Sequence, residues 1–230
     1  MFADWPCPLP GGETHDEMAR VFQADRKHRL LVIPPLFDEH NKLRHQLVEV
    51  MRRLHLSGID SVMPDLPGQN ESTLLLRDQT LESWREGIKA AIAHFKPTRF
   101  LSVRAGALLV PVGIPGWDYA PTGGKQVLRG MLRARIISAK EAGREESTDE
   151  LMQWGRSDGI ELAGWHLGPD MFRQLESAEI GESPIRGKIE QAMVGGKPLW
   201  LRAEPDDDPE QADALAAVIA VSIDSAGGLE

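Results

Sequence analysis

Residues 29–34, RLLVIP, are a continuous apolar run, the pattern of a strand covered on both faces. The period then changes. Leu43, Leu47, Val50, Met51 and Leu54 recur at helical spacing, and Gly58 stands where that helix would stop. IDSVMP at 59–64 predicts a second buried strand, which runs into the turn Asp65-Leu66-Pro67-Gly68. Residues 81–95 predict an amphipathic helix that opens near Thr80 and is closed by Pro97. A third strand is predicted at 99–103, and the segment after Gly106 is apolar enough for a buried helix as far as Pro111. Residues 20–115 thus read strand–helix–strand–helix–strand. Crossover helices between buried strands imply a parallel sheet with helices on both faces.

The flanks are less regular. Residues 1–17 are rich in Pro, Gly and acidic groups and read as a loose arm, which sets the expected boundary at a flexible arm 1–19 and a single domain 20–230. A short strand is expected at 20–24 and a loop at 113–124. Helices are expected at 125–142, 147–154, 168–176, 183–193 and 209–221, with strands at 160–165 and 198–203. Residues 113–160 would either fold over the strand ends as a lid or pack beside them as a helical insertion. The acidic run 206–208 reads as a solvated turn and helix start.

Composition narrows the function classes. A chain of 230 residues with 41% hydrophobic content can bury a substantial core. A formal charge of −9 gives no basic excess for neutralising phosphates, so no nucleic-acid partner is expected. The single cysteine, Cys7, excludes an internal disulfide and a cysteine-based zinc cluster. The first seventeen residues lack the basic and apolar regions of a signal peptide, and no run is long enough to span a membrane. A soluble cytoplasmic protein is the expectation. The histidines form no metal-site pattern, since His40 and His45 are poorly placed for one helix face. Thr122-Gly123-Gly124-Lys125-Gln126 lacks the leading Gly and the Ser/Thr of a phosphate loop. No metal and no cofactor are expected.

FLSVRAGALLV at 100–110 is the stretch with chemical content: a short strand, a turn of small residues, then an apolar helix. Ser102-Val103-Arg104-Ala105-Gly106 occupies the frame in which hydrolases mount a nucleophile. Three stretches, IPPLFDEHNKLRHQ, VMPDLPGQNES and FLSVRAGALL, follow the order and spacing of an α/β-hydrolase. More narrowly, PPLFDEHNKLR, MPDLPGQNES, LESWREGI, SVRAGALL and IELAGWHLGPDMFRQL resemble the second type of exosortase A system-associated hydrolase. The likeness covers most of residues 30–178 and thins beyond 180, where the chain looks shortened. It implies a three-layer α/β-hydrolase-like fold with a mainly parallel central sheet. It also implies a link to bacterial exopolysaccharide and surface-protein sorting machinery, with an ester, acyl or glycan-linked substrate. One oxyanion-hole amide would come from the loop 35–41 and the other from Ala105.

The apex residue conflicts with serine chemistry. A guanidinium stays protonated and cannot attack a carbonyl. Ser102 lies two residues early, at the buried end of the strand. His166 is the last histidine, so nothing near the C-terminus can serve as the usual base, and Glu204 or Asp206 would be an acid with nothing to orient. The catalytic candidates are therefore Glu39, Arg104 and His166, none of them a conventional nucleophile. A cation at the first turn of a helix needs a negative neighbour. Asp38, Glu39 or Asp65 can supply it from adjacent strand ends, as can the carboxylate or phosphate of a ligand. Asp38 or Asn41 also suits the cap of the following helix. Asp38, Glu39, Asp65, Arg104 and Ala105 form the expected crevice, with His166 as a further candidate member, for a small anionic or sugar-like ligand. Three function classes stay open: a hydrolase working by a non-triad route, a non-catalytic binding protein, and an interaction subunit or homodimer.

Overall fold

Side-chain alternation on three short strands sets the layers. The computed structural model describes residues 1–227. Its strands are β1 (Phe2–Pro8), β2 (Thr14–Phe22), β3 (Arg29–Ile33), β4 (Asp60–Pro64), β5 (Arg99–Val103), β6 (Gly116–Tyr119), β7 (Ile160–Leu162), β8 (Trp165–Leu167) and β9 (Arg186–Ile189). Its α-helices are α1 (Asp38–Leu56), α2 (Leu81–Phe95), α3 (Gly124–Glu141), α4 (Thr148–Ser157), α5 (Pro169–Ser177), α6 (Gln191–Val194) and α7 (Pro209–Gly227). Seven strands make one sheet in the order β1-β2-β4-β3-β5-β6-β9, parallel from β4 to β9 and antiparallel at β1 and β2.

Leu30 and Val32 of β3 and Leu101 and Val103 of β5 pack on one side, with Leu47, Met51 and Leu54 of α1 and Leu215 and Ile219 of α7. Leu31, Ile33 and Phe100 point to the opposite side, into a core with Trp84 and Ile88 of α2 and Phe172 and Leu175 of α5. A period of two thus feeds two separate cores, which is why β3 reads as an unbroken apolar run. α2 starts where Thr80 predicts: the Thr80 hydroxyl accepts from the Ser83 amide, Ser83 returns a bond to the Thr80 amide, and Lys96 closes the helix in the left-handed region.

Five expectations are corrected. Residues 1–17 are no loose arm: they form β1 and the start of β2, with Trp5 and Cys7 wholly buried against the α2 side. The strand expected at 20–24 is the end of the long β2. The loop expected at 113–124 contains β6, where a Cβ on Gly116 would fall 2.2 Å from the Phe100 carbonyl oxygen, so only glycine lets β6 lie against β5. The helix expected at 183–193 is instead the edge strand β9 followed by the single turn α6. The strand expected at 198–203 is a 310 turn, Leu199–Leu201. Among the described residues no helix is long and apolar enough to cross a membrane.

β6 and β9 are joined by charge as well as by the ladder. Asp118 of β6 accepts from Arg186 Nε at 2.9 Å and Nη2 at 2.8 Å, both side chains being 8% exposed, and Ser102 of β5 donates its hydroxyl to the same carboxylate. Removing one partner would leave a buried charge uncompensated, an effect of about 3–5 kcal/mol. Asp118→Ala is therefore expected to lower the urea unfolding free energy by about that amount, and Asp118→Leu combined with Arg186→Met to lower it by much less. Equal losses in the two variants would show that shape, and not charge, holds this edge.

Candidate functional site

β5 ends at Val103 and the chain turns through Arg104, which adopts φ 53°, into a 310 helix over Arg104–Leu109. A Cβ on Gly106 would stand 2.4 Å from the Pro34 carbonyl oxygen and 2.6 Å from that of Ile33. The elbow can dock against the end of β3 only because that residue is glycine. A left-handed arginine is disfavoured by roughly 1–2 kcal/mol, so its side-chain contacts must offset the backbone.

Those contacts are specific. Arg104 Nε donates to Glu39 Oε2 at 3.0 Å and Nη2 to Glu39 Oε1 at 3.1 Å, a side-on bidentate pair. Nη1 donates to the Ala120 carbonyl at 2.7 Å, and the Trp200 ring lies 4.4 Å from the guanidinium carbon. Of the five guanidinium N–H groups, one on each terminal nitrogen has no acceptor among the described residues. Glu39 is placed by the first turn of α1. That helix begins directly after Phe37, itself at φ 56°, and no side chain caps it. Asp38 lies inside the helix and pairs with Lys42 at 2.8 Å, so the capping role expected of Asp38 or Asn41 is not present.

The elbow opens into a cavity of about 330 Å³. Leu36 and Phe37, the Asp38–Lys42 and Glu39–Arg104 pairs and Trp200 line it, and Thr122, Gln126, Val127 and Met131 form the wall on and beside α3. Its volume lies at the small end of ligand sites, and apolar walls with a few convergent polar groups are their usual lining. Two cations and two carboxylates leave this cavity without net charge. Ala105, the residue after the apex, is buried in the 310 turn. Among the described residues no three His, Cys, Asp or Glu side chains are grouped so as to hold a metal ion.

Two expected members are elsewhere. Asp65 is fully buried and accepts from Arg44 Nη1 at 2.7 Å and Nη2 at 3.0 Å and from Asn70 Nδ2 at 2.8 Å. It ties the turn after β4 to α1 and does not line the elbow cavity. His166 has a side chain 68% exposed, 3.4 Å from Glu161, beside Arg77 and Asp158 in a separate depression. The segment expected as one strand reverses at Ala163 (φ 51°) and Gly164 (φ 83°) into the hairpin β7–β8, which carries His166 outward and leaves Ala163 on the cavity wall. Ser102 is sealed in the core beneath the elbow. The sequence reading missed Lys42, and it gave Trp200 only as one of four tryptophans, at 117, 154, 165 and 200, that could line a cleft. The Asp38–Lys42 spacing of four residues on a helix was a usable signal for the first, whereas Trp200 sits in the turn mistaken for a strand.

No family model matches the chain, and no curated protein matches it. Solved structures do. Mouse alpha/beta hydrolase domain-containing protein 10 superposes with TM-score 0.57 at 11% identity, over 98% of this chain and 99% of that one. Est1E of Butyrivibrio proteoclasticus gives 0.55 at 12% identity over 96% and 98%, and the esterase domain of a Rhodothermus marinus protein gives 0.53 at 11% over 96% and 97%. The chain has the α/β-hydrolase fold, with a mostly parallel seven-stranded sheet between helical layers.

Beside the cavity, His40 of α1 is buried between Gln69 (Nδ1 to Oε1, 2.9 Å) and Arg44 (3.1 Å). Burial pushes its imidazole pKa down to about 4, with Arg44 acting in the same direction and Gln69 and Asp65 opposing. Below pH 6.5 the unfolded chain takes up a proton that the native His40 refuses, so this contribution to stability is complete above pH 6.5 and is lost as the pH falls towards 4. His40→Gln is expected to flatten the fall in unfolding free energy between pH 6.5 and 5 seen in urea titrations. An unchanged slope would mean that His40 is protonated in the native state.

Proposed function

We propose that this chain uses the α/β-hydrolase fold to bind a small anionic or sugar-like molecule at the elbow, without serine-type turnover. The observation that carries the reading is the apex itself. Arg104 stands at the apex of the strand-to-helix turn, is fixed to Glu39 and Trp200, and keeps two N–H donors for a ligand in a charge-balanced cavity. A carboxylate or a pair of sugar hydroxyls would accept those donors, and the Trp200 ring and the Leu36–Phe37 wall suit an apolar sugar face. The segmental resemblance to exosortase A system-associated hydrolases of the second type supports a glycan-related ligand in a bacterial exopolysaccharide setting. Hydrolysis by a non-serine route is the second reading, favoured by the Glu39 carboxylate on the cavity wall, where it could receive a proton from water.

Titration with glucuronate and galacturonate, read by the fluorescence of Trp200 against a Trp200→Phe control, tests the first reading. Saturable quenching is expected, weakened by about tenfold or more in Arg104→Gln. Short-chain p-nitrophenyl esters are expected to give no turnover above the buffer rate. Ester turnover that disappears in Glu39→Gln would replace binding with hydrolysis as the function.

A further inference from the structure

A concavity larger than the elbow cavity lies elsewhere. Between α3 and α4 lies a groove of about 910 Å³ whose floor is Leu128 and Leu132, with Ile136, Ile137 and Met152 towards one end. Lys125, Arg129 and Arg133 rise along α3 at intervals of four residues, so they share one face of the helix. Across the groove Arg156 is held by Glu176 at 2.5 Å. Four cations line the groove against the two carboxylates Asp149 and Glu176, an excess of two positive charges on a chain of net charge −9.

Arg129 and Arg133 differ from their neighbours in one respect. Arg135 grips Glu146 at 2.6 and 2.7 Å, and Lys125 has Glu179 at 3.8 Å. Arg129 and Arg133 have neither an ion pair nor a hydrogen bond among the described residues, and both are exposed. Two unpaired guanidinium groups one turn apart, followed along the same helix by half-exposed isoleucines, define a site with an anionic end and an apolar end. We propose that this groove binds a single long-chain acyl anion, its headgroup on Arg129 and Arg133 and its chain running along Ile136, Ile137 and Met152.

Charge and size select this occupant. A second copy of the chain docked symmetrically would bring a row of arginines against its own image, a repulsive arrangement. From Lys125 to Ile137 the helix rises about 18 Å, and a partner helix of that length and about 10 Å across occupies roughly 1,400 Å³, so it would stand largely outside the groove. An extended acyl chain fits within the volume, which lies in the range of small-molecule sites. Arginine supplies the forked donors that carboxylate and phosphate headgroups share.

Displacement of 11-(dansylamino)undecanoic acid from the full chain tests the proposal. Palmitate and hexadecyl phosphate are expected to displace the probe, and hexadecanol to do so at least about tenfold less well, because it offers no charge to the guanidinium groups. Arg129→Gln combined with Arg133→Gln is expected to weaken palmitate by about tenfold or more with an unchanged circular dichroism spectrum. Ile136→Ser is expected to weaken palmitate and hexadecanol alike, and glucuronate to leave the probe in place. Full palmitate affinity in the double arginine variant would overturn the assignment. So would probe loss to glucuronate, or attachment to phosphatidylglycerol vesicles with no binding of monomeric palmitate. If the uronic acids fail at the elbow while palmitate binds here, only the elbow reading falls.

Discussion

A permanent cation at the tip of a strand-to-helix turn has to be neutralised on the spot, because the turn itself offers amide dipoles of the wrong sign. Glu39 performs this for Arg104, and much of the local architecture follows from it. α1 starts after four residues beyond the end of β3, with no capping side chain, which puts Glu39 in the first turn, within reach of the elbow. Gly106 lets the elbow press against the carbonyls that end β3, bringing apex and helix start together. The remaining guanidinium face is covered by Trp200, delivered from the far C-terminal half of the chain. The ion pair, the close backbone approach and the stacked ring are thus one construction.

The parts of this fold that were legible in sequence are those whose side chains are buried on both faces. β3, β4 and β5 are buried along nearly their whole length, and their boundaries emerged within a residue. α2 advertised itself through a capping threonine and a closing lysine–proline step. The strands at the periphery were not legible for the converse reason. β9, RGKI, is an edge whose arginine serves Asp118 and whose lysine is exposed; β6, GWDY, is four residues set among prolines and glycines. The strand character of β6 comes from pairing with β5 and that of β9 from pairing with β6, a tertiary effect that single-chain propensity does not contain. The hairpin β1–β2 was obscured by its prolines, which an edge strand tolerates.

The site divides in the same way. Glu39 and Arg104 could be brought together on paper because consecutive strand ends of a parallel sheet open onto one edge. The same rule drew in Asp65, whose strand also ends there, but it is silent about which neighbour claims a buried carboxylate first. Arg44, one turn beyond His40 on the inward side of α1, takes Asp65 with two hydrogen bonds, and Asn70 adds a third. His166 failed on topology, since a reversal at Ala163–Gly164 changes the direction of everything after it.

The elbow cavity and the groove on α3 are opposite solutions to one electrostatic problem. At the elbow every charge has an internal partner, so a ligand adds to satisfied groups and is selected by the geometry of the donors left over. On α3, Arg129 and Arg133 have no partner among the described residues, although the chain carries thirty-five acidic residues and pairs neighbouring arginines such as Arg135 and Arg156. Exposed cations in water gain little from a distant negative surface once salt screens it. They gain more when an anion arrives attached to a chain that also covers Ile136 and Ile137, because the two contributions then depend on each other through a single ligand. α3 is the common element: its Val127 and Met131 wall the elbow cavity, while Leu128 and Leu132, one position further on, floor the groove. The two cavities therefore share this one helix as a wall.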